Sequence, residues 1–429
     1  MKRILAAVLA AFLICSLTAC GGTSPAQSDP PAASASGTAS SGETSADASA
    51  PAGSSAETST PSVPDPDAVP PPADPEPVPQ PPTLQELARE RLSSMTLAEK
   101  VGQLFFARCP TENAAEDAAA YHLGGYILFG RDFKGRTANE IIRTVAAYQD
   151  AAAADSGIPL LIGVDEEGGT VVRVSSNQHL RAKRFASPQN IYAASGMDGI
   201  LADTLEKDRL LQALGINVNL APVADVSTDP NDFIYARSFG KDAAATSDYV
   251  RTVVSRMAAD RMGSVLKHFP GYGSNADTHT DIVTDPRPME TFLTSDFLPF
   301  AAGIEAGGGT ASVLVSHNIV TAMDPALPAS LSPAVHSILR DRLGFDGVIM
   351  TDDLAMDAVA AYAADGSAAT LALLAGNDMI ITSDHRTHVP QVIAAVNSGL
   401  LPESVIDDAC ARVLLWKHAL GLLDLSPAA

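Results

Sequence analysis

The sequence predicts an α/β chain whose folded part is a closed (β/α)8 barrel, set behind an export signal and a disordered linker. Three observations carry this. Eight short apolar runs alternate with Ala-rich, helix-length segments between residues 84 and 425, and that alternation builds parallel sheets. Eight such units are the number that closes a barrel. Charged and polar residues gather just past five consecutive runs, which is where a barrel of this kind carries its chemistry.

The 429 residues are 46% hydrophobic and carry a formal net charge of -22. That length permits one large domain with extras, or two domains. The acidity argues against nucleic acid as a partner and against a broad electrostatic grip on anionic lipid.

Residues 1–20 read as a lipoprotein signal. Lys2 and Arg3 precede an apolar run from Ile4 to Ala19, too short for a membrane span. It ends in Leu17-Thr18-Ala19-Cys20-Gly21, which resembles a bacterial lipobox with Cys20 as the lipidated first mature residue. The expected location is extracytoplasmic, held to the cell membrane by that lipid alone.

Residues 21–83 are mostly Ser, Ala, Thr, Gly and Pro, without an aromatic, Leu, Ile, Lys or Arg. Such a segment buries too little apolar surface to offset its ordering entropy. It reads as a disordered tether, flexible at first and stiffer through Pro70 to Pro82. Its reach is roughly 45 Å as a coil and about 195 Å as extended polyproline.

The barrel domain is expected over 84–429. It opens with a helical pattern from Leu84 to Leu92, followed by Met95-Thr-Leu-Ala-Glu-Lys-Val-Gly-Gln-Leu-Phe-Phe. The predicted strands are Leu104–Phe106, Tyr126–Phe129, Leu160–Val164, Val218–Ala221, Val265–Leu266, Val313–Val315, Val348–Met350 and Met379–Ile381.

The polar groups then fall in order. After the third run come Asp165-Glu-Glu-Gly-Gly-Thr-Val-Val-Arg173. After the fourth come Pro222-Val-Ala-Asp225 and, further on, Arg237. Lys267 and His268 follow the fifth, Ser316, His317 and Asn318 the sixth, and Thr351-Asp352-Asp353 the seventh. Each has a plainer reading. Asp165 and Asp352 suit helix N-caps, Arg237 a surface Arg, Lys267 a snorkelling barrel-end Lys, and His317 a hydrogen-bonded core histidine. His317 is left out of the site for that reason. Asp353 is expected to face away and hold local structure.

One stretch organises the rest: residues 264–281, Ser-Val-Leu-Lys-His-Phe-Pro-Gly-Tyr-Gly-Ser-Asn-Ala-Asp-Thr-His-Thr-Asp. An apolar run is broken by Pro270, Gly271 and Gly273, and the loop beyond carries Asp277 and His279. At that spacing a carboxylate can fix the tautomer of an imidazole, and an oriented imidazole is a general acid/base. The stretch resembles glycoside hydrolase family 3, in particular its β-N-acetylglucosaminidase branch. That branch reads Lys-His-Phe-Pro-Gly-His-Gly followed by an Asp-Ser/Thr-His loop. Tyr272 stands where the branch usually has its second His. The departure bears on any role of that His and leaves Lys267, His268, Asp277 and His279 untouched.

The resemblance implies a TIM-type barrel acting as a retaining exo-β-N-acetylglucosaminidase on cell-wall (peptidoglycan) fragments. By the family pattern Asp352 is the nucleophile and His279 the acid/base, with Asp277 orienting it. Asp165, Arg173, Arg237, Lys267 and His268 bind the sugar. The acid/base is expected from the barrel itself, since Ala429 leaves no room for a second domain of typical size. No metal and no organic cofactor are called for. The partner is an N-acetylglucosamine-terminated glycan or muropeptide.

Other classes stay open: a glycoside phosphorylase on the same site, a β-glucosidase or xylosidase, and a non-catalytic sugar-binding lipoprotein. Cys109 and Cys410 read as two unpaired buried thiols, although an extracytoplasmic disulfide is permitted. His385-x-x-His388 has no identifiable third ligand and reads as a surface loop. Oligomeric state is not legible.

Overall fold

The computed structural model describes residues 81–275, 283–355, 359, 362 and 367–426. The signal and most of the tether, with Cys20, lie outside the described residues, as do Asp277 and His279.

Eight strands form one parallel sheet. They are β1 (Phe105–Arg108), β2 (Gly125–Leu128), β3 (Leu161–Val164), β4 (Val218–Asn219), β5 (Gly263–Phe269), β7 (Ala311–Val315), β9 (Ile349–Thr351) and β10 (Ile380–Thr382). The order is β10-β1-β2-β3-β4-β5-β7-β9. A parallel bridge between Met350 and Met379 joins the two ends of that series. The (β/α)8 barrel is thus the observed fold, and each expected run lies on one of its strands.

The boundaries moved for identifiable reasons. β5 is the longest strand because it includes the buried polar residues Ser264, Lys267 and His268, which an apolar criterion cuts away. Lys267 and His268 therefore sit within a strand, not past its end. Leu104 caps the helix Leu97–Gln103 instead of opening β1. Two short strands were not anticipated. β6 (Thr284–Asp285) pairs with β8 (Ile319–Val320) in a separate ribbon on the rim.

Local chemistry sets the helix starts. Thr83 with Glu86 and Thr96 with Glu99 form capping boxes that open the helices Leu84–Ser93 and Leu97–Gln103. In each, the Thr hydroxyl and the Glu carboxylate satisfy orphan backbone donors reciprocally. The C-terminal helix Glu403–Ala419 packs back on both. There Lys100 Nζ lies 3.2 Å from Glu403 and 2.7 Å from Asp407.

Side chains fill the barrel interior. A Cβ built on Gly163 of β3 would lie 2.4 Å from the Phe106 ring, so the glycine makes room for that aromatic. Outside the sheet, Gly303 lets the helix Phe297–Gly307 approach Leu266 and Val250 in the same way.

Cys109 and Cys410 are free and buried. Burial pushes both thiols up to about 12, so neither is a ready nucleophile. His385 and His388 depart from the expected surface loop. They lie in the first turn of the helix His385–Asn397. His385 is buried, with Nε2 3.0 Å from Asp117 Oδ2. His388 Nδ1 lies 2.9 Å from Thr382 Oγ1. Among the described residues no group of three or more His, Cys, Asp or Glu side chains could hold a metal ion.

Candidate active site

A cavity of about 560 Å³ opens at the C-terminal ends of the barrel strands. Asp165, Arg173, Arg237, Lys267, His268 and Asp352 all line it. Six side chains carried by four strands and the loops that follow them are thereby brought together. Lys267 is buried and Arg237 part-buried, and both are ion-paired inside that concavity, unlike a snorkelling Lys or a surface Arg.

Three acids follow β3 in succession, and the second and third do different work. Glu166 is fully buried and turns away from the cavity. Its carboxylate accepts from the backbone N–H groups of Arg173 at 2.8 Å and Val174 at 2.7 Å, and from Ser175. That folds the loop after β3 back on itself, so that Arg173 returns to the cavity wall. The turn in between needs Gly168, whose φ is +104°. A Cβ there would lie 2.3 Å from the Ala186 carbonyl oxygen.

Glu167 is the hub. Arg237 donates to it through Nε at 3.1 Å and Nη2 at 2.8 Å, and Lys267 Nζ lies 2.7 Å from Oε1. Burial alone would raise the Glu167 pKa, but the Lys267 and Arg237 charges outweigh it and hold the carboxyl far below the usual range. Burial likewise disfavours the Lys267 ammonium. Asp165 and Glu167 overcome that and keep its pKa above the ordinary value. From behind, Lys207 Nζ donates to the Glu167 carbonyl at 3.0 Å.

Asp165 bridges the cluster. Lys267 Nζ donates to its Oδ1 at 2.8 Å, and Arg173 Nη2 lies 3.7 Å from Oδ2. His268 is held on both sides of its ring. Nδ1 lies 2.8 Å from Asp225 Oδ2 and Nε2 lies 3.2 Å from Arg237 Nη2. A guanidinium can only donate, so Nε2 accepts and the ring proton sits on Nδ1, facing Asp225. Asp225 is fully buried and also accepts from the backbone N–H of His268 and of Tyr272. Tyr272 itself is buried edge-on to the His268 ring, centroids 5.3 Å apart.

Adjacent strand residues normally point to opposite faces, yet Lys267 and His268 both line the cavity. The β5–β7 register shifts between Leu266 and Phe269, and the Lys267–His268 peptide bond is cis.

Asp352 stands at the end of β9. Its backbone N–H donates to Val315 O at 3.0 Å, and its Oδ1 accepts from the Asp353 N–H at 2.8 Å. Asp353 does hold local structure. Its carboxylate accepts from Ser383 N–H and Oγ and from the Ala355 N–H, tying the loops after β9 and β10 together. It does not face away as expected, because that tie lies on the cavity wall. His317 is a hydrogen-bonded core histidine as read, buried with Nδ1 2.7 Å from Ser330 Oγ and Nε2 3.1 Å from the Asp353 carbonyl.

Sequence reasoning named the strings containing Glu167 and Asp225 but placed neither in the site. The signal was the run of acids directly after β3 and the lone Asp after β4. It also missed Arg108 and Phe129, from the ends of β1 and β2, which line the cavity with the guanidinium 4.2 Å from the ring centre.

The cluster balances three cations (Lys267, Arg237, Arg173) against three carboxylates (Asp165, Glu167, Asp225). It offers fixed donors and acceptors to a polyhydroxylated ligand, beside a further carboxylate at Asp352.

The comparisons with known proteins agree with this geometry. The model of the "Glycosyl hydrolase family 3 N terminal domain" matches residues 96–415. A beta-hexosaminidase of Xanthomonas campestris pv. campestris is 34% identical over 306 residues, 70% of this chain and 87% of the relative. A solved glycoside hydrolase family 3 beta-N-acetylglucosaminidase from Paenibacillus sp. str. FPU-7 is 30% identical with a TM-score of 0.71. That match covers 78% of this chain but only 64% of the Paenibacillus protein, just under two thirds. The beta-N-acetylhexosaminidase from Beutenbergia cavernae DSM 12333 is 30% identical with a TM-score of 0.65, over 76% of this chain and 99% of that one.

Proposed function

The chain belongs to glycosyl hydrolase family 3, and from that premise we propose that it is a retaining exo-β-N-acetylglucosaminidase. The observation that carries the reading is the placement of Asp352 in the same cavity as the charge-balanced cluster. A carboxylate there meets the anomeric carbon of a sugar whose hydroxyls are held by Asp165, Arg173, Arg237, Lys267 and His268. The hexosaminidase and N-acetylglucosaminidase names of the similar proteins support the choice of sugar.

The reaction runs in two steps. An Asp352 oxygen bonds the anomeric carbon while the glycosidic oxygen leaves with a proton from His279. Water then gives its proton to His279, and its oxygen displaces Asp352 from the sugar. Asp277, two residues before His279, orients the imidazole and stabilises its charged form, as an Asp does behind a catalytic His elsewhere. The substrate is a terminal N-acetylglucosamine of peptidoglycan fragments. A lipid on Cys20 holds the enzyme outside the cytoplasm, and the Ser/Ala/Pro-rich tether gives it reach into the wall.

The test is turnover of a chromogenic β-N-acetylglucosaminide against the matching β-glucoside, with the first-formed anomer followed by NMR. Selective turnover of the former to the β-anomer of N-acetylglucosamine is expected. Release of a sugar phosphate only when phosphate is present would replace hydrolysis by phosphorolysis. Absence of turnover on any β-glycoside would favour a binding protein.

A further inference from the structure

On the β5 side of the rim, outside the sugar-binding cluster, lies an ion-pair node centred on Arg287. Its guanidinium grips Asp285 through Nε and Nη2, with Nη2 2.7 Å from Oδ2. Nη1 donates to Asp296 Oδ1 at 2.9 Å, and Nη2 donates to the Gly271 carbonyl at 2.9 Å. The guanidinium also lies over the Phe292 ring, 4.4 Å from its centre. Both carboxylates are almost fully buried. Such a node costs desolvation and is weak evidence for stability alone, so its position matters more than its count of bonds.

That position is the base of one loop. Asn275 Nδ2 donates to Asp285 Oδ2 at 2.7 Å, so residues on either side of 276–282 are joined directly. The turn leading in packs on the node itself. A Cβ on Gly271 would lie 2.4 Å from Asp296 Oδ1, and one on Gly273 would lie 2.4 Å from the Arg287 guanidinium. The stem leading out is pinned as well, through the pairing of β6 with β8 and through Thr321 N–H donating to the Asp285 carbonyl at 3.0 Å. Asp225, which holds His268, accepts from Tyr272 in the same turn. One end of the stem is thus continuous with the sugar-binding cluster.

We propose that Arg287 is a positioning residue for the reaction: with Asp285 and Asp296 it fixes both ends of the loop that carries Asp277 and His279. The inference rests on the reading of His279 as acid/base, because a fixed stem matters to catalysis only if the loop delivers a proton. Bidentate and forked bonding is what this role requires, since one planar group must hold two side chains and a backbone carbonyl at once. Lysine, a point charge on a flexible stem, would keep the charge and lose the fork.

The test compares a disaccharide of N-acetylglucosamine, whose leaving group needs a proton, with a dinitrophenyl glycoside of the same sugar, which departs without one. Wild type, His279→Ala, Arg287→Ala, Arg287→Lys and Asn275→Ala are measured on both, each with a melting curve. Arg287→Ala and Arg287→Lys are expected to lose about 30-fold or more in kcat/KM on the disaccharide, within the ~10²–10⁴-fold range of general acid catalysis or just below it. The first step with the dinitrophenyl substrate should change less than about 3-fold by the same reasoning. Methylguanidine should restore part of the loss in Arg287→Ala. Equal losses on both substrates, or no loss on either, would overturn the proposal. If Arg287→Ala does not fold, Arg287→Lys and Asn275→Ala give the same two readings. Inactive wild type on both substrates would sink the hexosaminidase reading itself. A uniform loss in His279→Ala would sink the acid/base assignment. Selective loss in His279→Ala with uniform loss in the Arg287 variants would sink this inference alone.

Discussion

Glu167 Oε1 and Lys267 Nζ, from the ends of β3 and β5, lie 2.7 Å apart with both side chains 3% exposed. This pair, shared with Arg237, is the buried core of the proposed sugar-binding half. Glu167→Gln keeps the shape and removes the charge that Lys267 and Arg237 face. Breaking a buried pair from one side costs about 3–5 kcal/mol. A loss of about that size is expected in denaturant unfolding, together with a KM raised by about 10-fold or more, since one tenfold step is only ~1.4 kcal/mol. Unchanged KM and stability would contradict the hub role.

Asp225 has three donors on two oxygens: His268 Nδ1, His268 N–H and Tyr272 N–H. Asparagine presents one acceptor and turns an amide NH2 toward the remaining donors. Asp225→Asn is expected to lower kcat/KM by about 10-fold or more and stability by about 1–3 kcal/mol, the usual cost of an unsatisfied buried group. The 15N shifts of the His268 ring should also report a changed tautomer. A variant with wild-type ring shifts and activity would refute the role.

Asp208 predicts a pH dependence unrelated to catalysis. It is buried, and no donor among the described residues reaches either carboxylate oxygen. Burial, and then the neighbouring Asp260, push its pKa up to about 8, with Arg256 and Lys207 pulling the other way. The folded state therefore keeps a proton that the unfolded chain releases near pH 4. Stability from this group is largest at low pH and falls as pH rises toward about 8. Asp208→Asn should melt higher than wild type, by at least ~2 °C at pH 8, with the gap shrinking toward pH 5. A gap independent of pH would contradict the assignment.

Removing residues 21–83 while retaining Cys20 should leave turnover of a small chromogenic substrate unchanged and reduce only activity on wall material. In the proposed reading the tether contributes reach, and the described side chains that line the cavity lie between Arg108 and Ser383. A large change on the small substrate would refute that division.

Much of this was legible in the sequence because the barrel repeats one signal. Eight apolar runs at helix-length intervals give the fold, and polar residues at their ends give the rim. Asp165, Arg173, Arg237, Lys267, His268 and Asp352 meet in one cavity for that reason. Burial hid the rest. Glu166 and Glu167 read alike as part of an acidic run, but one ties a loop and the other anchors two cations. Asp225 reveals its partner only when β4 and β5 lie side by side. Arg287 stands in an ordinary Asp-Pro-Arg-Pro string, and only the return of the chain past Gly271 and Asp296 gives it a role. Polar residues inside β5 made that strand look two residues long.

The most direct test of the central claim is covalent trapping. The enzyme is incubated with a 5-fluoro N-acetylglucosaminyl fluoride, digested, and mapped by tandem mass spectrometry. One N-acetylglucosamine-derived adduct on the Asp352 side chain is expected, absent in Asp352→Asn, whose activity should fall by more than about 10³-fold. An adduct on Asp353, or inactivation without an adduct alongside normal turnover in Asp352→Asn, would contradict the account.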